Sequence, residues 1–299
     1  MKKQLRTSVR VLALAIASLT LITACGSSSS SDTTVAVDTT VAVEAPQRIV
    51  SLSATATEML YAIGAGSQVI AVDEYSNYPA DAVALGTKLN AFEPNIEAIA
   101  AYTPDLVIIS NDMASVTERL KALDITVWVG AAPATIDDAY AQITELGAAT
   151  GHTNEASQLV TSMKDGISTA IDGVKAPAGT SYFYELDNTY YSVTSNTFIG
   201  SLLSSLGLTN IADGVEAGND YPQLNAEALI KANPGIIFLA DTKCCAQTAA
   251  TVAARPGWSS IAAVKNNAVI ELDDDISSRW GPRIVDLVKQ FADAVKALK

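Results

Sequence analysis

One stretch occurs twice in this chain, and the repetition limits the folds open to it. Asn95-Ile96-Glu97-Ala98-Ile99 runs through Pro104 into Asp105-Leu106-Val107-Ile108-Ile109. Asn225-Ala226-Glu227-Ala228-Leu229 runs through Pro234 into Gly235-Ile236-Ile237-Phe238-Leu239. The copies align without a gap, with Glu97 matching Glu227 at an offset of 130 residues. Each reads as a capped helix, a break and a buried strand. Asn is a strong N-cap because its side chain accepts a bond from an orphan helix N–H. Glu in the first turn suits the positive end of the helix dipole. Proline stops the helix, and the apolar run after it lacks alternation, as a strand covered on both faces requires. Two copies predict two similar α/β lobes, each displaying one acidic helix start.

The rest of the chain alternates in the same way, so the sheets should be parallel. In the first lobe, strands are expected at 48–52, 69–72, 106–109 and 126–129. Thr55 with Glu58 three residues on suggests a capping box. That helix should end at Gly64, and further helices should span 114–123 and 136–150. Apolar residues then keep helical spacing over 154–174, predicting a helix of about 20 residues, or ~30 Å. It lies between the two copies and is the expected connector. In the second lobe, strands are expected at 182–186, 191–193 and 269–272, with Asn196 capping a helix. Pro282 is expected at N1 of the last helix, where its missing N–H costs nothing. The expected division is a first lobe over 47–152, a connecting helix over 153–176 and a second lobe over 177–299.

The start of the chain reads as a processed leader. Lys2, Lys3, Arg6 and Arg10 precede an apolar run from Val11 to Ile22, too short for the ~20 residues of a comfortable membrane span. This is the layout of a secretory signal over 1–24. Ile22-Thr23-Ala24-Cys25 looks like a bacterial lipobox, with Cys25 lipidated as the new N-terminus. Acyl chains on Cys25 would hold the protein extracytoplasmically at the cell membrane. Residues 25–46 are Ser/Thr-rich low complexity and read as a disordered tether. The net charge of −13 argues against nucleic acid as a partner.

Little suggests catalysis, and no enzyme is expected. His152 is the one histidine. There is neither a glycine-rich phosphate loop after a strand nor a Gly-x-Ser-x-Gly elbow. Asp273-Asp274-Asp275 reads as a solvated turn. Cys244-Cys245 lacks further Cys or His at zinc-ligand spacing. In an exported protein the two thiols favour a vicinal disulfide; buried free thiols are the alternative. The aromatics are more informative. Tyr75, Tyr78, Phe92, Tyr190, Tyr221 and Trp280 fall in or beside loops, several after strand C-termini, where open α/β sheets place ligands. Each could equally cap its own lobe's core.

The order of motifs resembles a known family, the substrate-binding proteins of ABC importers for vitamin B12 and ferric siderophores. The residues that carry the likeness are Arg48-Ile49-Val50-Ser51-Leu52, Thr57-Glu58, Tyr75-Ser76-Asn77-Tyr78-Pro79, Asn95-Ile96-Glu97 and Thr103-Pro104-Asp105-Leu106-Val107. Tyr221-Pro222-Gln223, Glu227, Arg255-Pro256-Gly257-Trp258 and Gly281-Pro282-Arg283-Ile284 continue it. The resemblance implies two Rossmann-like lobes with parallel sheets, one long connecting helix and a ligand cleft between the lobes. It implies that Glu97 and Glu227 dock on the two subunits of an ABC permease. It places Tyr75 and Asp275 in the cleft, with Arg279 available to an anionic siderophore or bracing the helix start. The family's cobalamin binders carry an aromatic where this chain has Ala91, with Phe92 beside it. No permanent cofactor is implied; the ligand would be a transported metal chelate, namely a corrinoid, a ferric siderophore or haem. A monomer is expected. A surface enzyme, or a sensor or adhesin using the same cleft, is the rival.

Overall fold

The computed structural model describes residues 44–298. The expected leader, Cys25 and nearly all of the expected tether lie outside them. The first half runs β1 (Ile49–Leu52), α1 (Ala54–Ala62), β2 (Val69–Val72), α2 (Ala80–Ala84), α3 (Ile96–Ala100), β3 (Leu106–Ile109), α4 (Val116–Lys121), β4 (Thr126–Val129) and α5 (Ile136–Thr150). Helix α6 (Thr153–Ile171) follows. The second half runs β5 (Ser181–Glu185), α7 (Phe198–Ser205), β6 (Thr209–Asn210), α8 (Ala226–Ala232), β7 (Ile236–Leu239), α9 (Ala249–Ala253), α10 (Ala262–Lys265), β8 (Val269–Glu271), α11 (Asp274–Ser277) and α12 (Ile284–Ala297).

The duplication is visible in the topology. One sheet has the order β2-β1-β3-β4 and the other β6-β5-β7-β8, and every pairing is parallel. The repeated apolar runs are β3 and β7, one of the two inner strands in each sheet, and all their residues are buried. Being covered on both faces is what removes their alternation. Asn95 and Asn225 cap α3 and α8 as expected: their Oδ1 atoms accept from Ala98 N at 3.0 Å and Ala228 N at 2.8 Å. Helix α6 has 19 residues and packs against α5 before it and α12 at the chain's end. The aromatic core of the second lobe reaches α12 through Phe238 and Phe291, whose rings lie 4.9 Å apart.

Several local expectations fail, each because a neighbouring side chain takes the role. Helix α1 is capped by Ser53, whose Oγ accepts from Ala56 N at 3.2 Å, so Thr55 and Glu58 form no capping box. Glu58 is instead buried. Thr197, not Asn196, caps α7, accepting from Gly200 N at 3.1 Å. Asn196 turns to donate to Asp220 Oδ1. Residues 191–193 form no ladder strand: Tyr191 makes a single antiparallel bridge to Gln223. Helix α4 starts late because Ala114 and Ser115 are left-handed, at φ 56° and 54°. Pro282 precedes α12 in a turn closed by Ile284 N on Gly281 O, and Arg283 occupies the cap position.

Candidate functional site

In a 2-1-3-4 sheet the chain leaves β1 and β3 in opposite directions, and the crevice beyond their C-termini is the natural ligand position. Both sheets use it. A cavity of about 300 Å³ is bounded by Ser53 and Thr55 after β1, Asp73 and Tyr75 after β2, and Ser110 and Asn111 after β3. A second, of about 260 Å³, is bounded by Leu186 after β5, Ala240 after β7 and Pro133 after β4. The two chambers share Ser278, Arg279 and Trp280, so one cleft runs between the lobes with this segment along it. A larger cavity, about 470 Å³, lies at the opposite end of the second sheet, beside Thr180, Gly235 and Ala268 just ahead of their strands. That is the wrong end for a switch-point ligand.

The first chamber carries an aromatic wall. Tyr75 and Phe92 meet edge to face at 5.3 Å and stay 48% and 57% exposed. Open aromatic faces offer apolar area with a polar tip, which suits a bulky ligand. Trp280 is held by its Nε1, which donates to Gln142 Oε1 on α5 at 2.8 Å.

Beneath this wall lies an ionic network that joins the lobes. Arg279, 9% exposed, donates from Nη1 to Glu58 Oε1 at 2.8 Å and Asn77 Oδ1 at 2.9 Å. Its Nη2 donates to Tyr75 O at 3.0 Å and Asp275 Oδ1 at 2.8 Å. Arg283 donates from Nε to Glu58 Oε2 at 2.8 Å and also binds Oε1. Glu58 is therefore a buried acid shared by two guanidinium groups, the arrangement that keeps a buried charge tolerable. Burial works to raise the Asp275 carboxyl, but bonds from Lys243 and Asn77 and the nearby Arg279 outweigh it and hold it below the usual range.

Asp273-Asp274-Asp275 is not the solvated turn expected. Asp273 caps α11, accepting from Asp275 N at 2.9 Å, and binds Lys243 Nζ. Asp274 accepts from the backbone of Lys243 and Cys244 and from Thr242 Oγ1. The run is a hub that ties the 242–245 loop to the cleft. The expected Cys244–Cys245 bridge is absent, and both are free thiols. Adjacent Cα atoms sit ~3.8 Å apart across a trans peptide, below the ~4.4–6.8 Å that a relaxed disulfide spans. The Cys244 thiol is pushed up, first by desolvation and then by Cys245.

Of the candidate ligand residues, Tyr75, Phe92, Asp275, Arg279 and Trp280 border the first chamber. Tyr221, Arg279 and Trp280 border the second. Tyr78 and Tyr190 border neither. Tyr78 lies under Arg283, 4.4 Å from ring centre to guanidinium. Tyr190 packs on Trp258 at 5.5 Å beside Arg255, closing its own lobe's core. Glu97 and Glu227 are exposed, and neither side chain has a hydrogen-bond partner among the described residues. Glu58, Arg283, Asn77 and Lys243 escaped the sequence reading as parts of the site. One signal was present for Glu58: it is the only charged residue in the apolar helix ATATEMLYA.

The family model for periplasmic binding proteins matches residues 49–276. An uncharacterized ABC transporter substrate-binding lipoprotein of Bacillus subtilis, YvrC, is 31% identical over 259 residues, covering 84% of this chain and 80% of that protein. A possible iron-binding (periplasmic solute-binding) protein from Staphylococcus epidermidis superposes with a TM-score of 0.72 at 27% identity, over 84% of this chain and 99% of that one. The periplasmic vitamin B12-binding protein BtuF of Vibrio cholerae superposes with a TM-score of 0.70 at 26% identity, over 84% and 97%. On the duplicated sheets, the cleft between them and these matches, the chain belongs to the periplasmic binding protein family.

Proposed function

We propose that the protein captures a metal chelate (a corrinoid, a ferric siderophore or haem) in the cleft and delivers it to an ABC permease. The observation that carries this reading is the cleft itself. Two chambers meet at Arg279 and Trp280, with the exposed Tyr75–Phe92 pair on one side and Tyr221 on the other. Relatives of similar fold include a vitamin B12-binding protein and a possible iron-binding protein, which supports the same ligand class. Glu97 and Glu227, free-standing at matching helix starts of the two lobes, are the proposed contacts to the two permease subunits. Anchoring through lipidated Cys25 would keep the protein beside that permease, acting as a monomer.

A surface enzyme is the poorer reading. The Asp273–Asp275 carboxylates are committed to a cap, a loop and a lysine. The Cys244 thiol is raised, whereas a nucleophilic thiol needs the opposite shift. Replacing both cysteines with Ser should leave ligand binding intact, and loss of a thiol-dependent activity would revive the rival. The direct test is titration of the purified protein with cyanocobalamin, ferric siderophores and haemin, following Trp and Tyr fluorescence. Quenching that saturates for one class supports the proposal. A flat response to every chelate removes it.

A further inference from the structure

The cleft holds one cation among its described lining residues, Arg279, and that cation is already occupied. All four of its Nη hydrogens point at protein acceptors: Glu58 Oε1, Asn77 Oδ1, Tyr75 O and Asp275 Oδ1. The Lys243 ammonium, bonded to the chamber-wall residue Asp275, is paired with Asp273 at 2.8 Å and Asp275 at 2.7 Å. Three carboxylates line the first chamber wall; Asp274 and Asp275 are bonded to protein donors, and Asp73 keeps an open oxygen. Asp73 is 2% exposed, and its Oδ2 has no hydrogen-bond partner. The second chamber adds no charged side chain beyond Arg279, only apolar groups and hydroxyls such as Thr197 and Tyr221.

We infer that the ligand is a neutral or cationic chelate whose rim offers N–H donors, and that the cleft discriminates against anionic chelates. The inference rests on the chelate-binding reading and narrows it. An anionic ligand entering the first chamber would lose its hydration and meet carboxylate charge, with only neutral hydroxyl and amide donors and no free guanidinium to compensate. Freeing Arg279 for it would cost Glu58 one of its two guanidinium partners and leave Asp275 with Lys243 and Asn77 alone. A neutral amide or an ammonium meets the opposite situation. The unpartnered Asp73 Oδ2 can accept from such a donor, and a bond to an ionised acceptor is shorter and stronger than a neutral one. The apolar second chamber and the Tyr75–Phe92 wall then cover the rest of the ligand. The reading of Arg279 as a receptor for an anionic siderophore is replaced by a structural one: it binds the lobes together and orients Asp275.

The test is equilibrium titration of the purified protein with four probes of defined charge. Two are neutral or cationic, cyanocobalamin with its peripheral amides and ferrioxamine B with its free ammonium. Two are anionic, a ferric tris-catecholate and haemin with its two carboxylates. At least one of the first pair should bind about tenfold or more tightly than both of the second, the scale of one close unit-charge repulsion at a partly buried site. Added NaCl should improve whatever anion binding there is, because it screens repulsion. In Asp275→Asn, which removes one negative charge and releases one Arg279 donor, the preference should narrow. Asp286→Asn, a surface carboxylate on α12 paired with Lys289, should keep the wild-type preference. An anionic probe binding tightest overturns the charge inference and leaves the chelate-binding reading standing. No saturable binding by any of the four overturns both.

Discussion

Glu58 Oε1 accepts from Arg279 Nη1 at 2.8 Å, joining residues 221 positions apart across the two lobes. Arg283, at the cap of α12, binds the same carboxylate. Such a pair makes the cleft wall and the joint between the lobes one structure.

Removing Glu58 should therefore be costly. Glu58→Ala strands two guanidinium groups in a site with little water, and breaking one side of a buried ion pair costs ~3–5 kcal/mol. The melting temperature should fall by roughly ten degrees, at about 2–4 °C per kcal/mol for a domain of this size. Thermal unfolding followed by circular dichroism checks this. A variant that melts with the wild type would show that the network is not structural.

Tyr75→Ala should separate binding from stability. The side chain is half exposed and contributes one face of the aromatic wall. Loss of its buried area in the complex, ~1.5–3 kcal/mol, corresponds to roughly a 10- to 100-fold weaker Kd. The melting temperature of the unliganded protein should hold. Tyr78→Ala, outside both chambers, should change affinity little by comparison.

Charge reversal at the two helix starts addresses delivery. Glu97→Lys with Glu227→Lys should abolish ligand uptake by cells while leaving the affinity of the purified protein within about twofold, because both side chains are free of the cleft network. Lost affinity in the purified double variant would argue for a binding role in place of docking.

Asp241 offers a pH signature. It is fully buried beside Glu185, and neither carboxylate oxygen has a partner. Burial first, and the Glu185 charge second, push its pKa up to about 7. A carboxyl raised in the folded state binds its proton more tightly there than in the unfolded chain. Its stabilising contribution is present below the ordinary carboxylate range and is lost as pH rises through about 7. Asp241→Asn, which keeps the shape without the charge, should be more stable than wild type at pH 8 and close to it at pH 5. Equal pH dependence in the two proteins would exclude this account.

Local signals in the chain suffice where one element's own residues decide the outcome. Asn95 and Asn225 cap their helices, and the inner strands 106–109 and 236–239 are buried as their unbroken apolar runs require. Helix 136–150 ends at Gly151, left-handed at φ 81°. Where two neighbours compete for one role, as Ser53 with Thr55 or Thr197 with Asn196, composition alone does not choose between them. The choice depends on which side-chain oxygen the incoming backbone aims at the first turn.

The repeated unit, the parallel sheets and the acidic starts of α3 and α8 are legible in the chain, because capping, periodicity and helix breaking act within a few residues. Long-range packing is what makes Glu58 a buried ion-pair partner and no cap, commits Arg279 to protein acceptors, and turns Tyr75 and Phe92 to the cleft but Tyr78 and Tyr190 away from it. The Glu58–Arg279 pairing depends on the fold bringing two side chains within about 3 Å across more than 200 residues of chain, and burial then makes it obligatory.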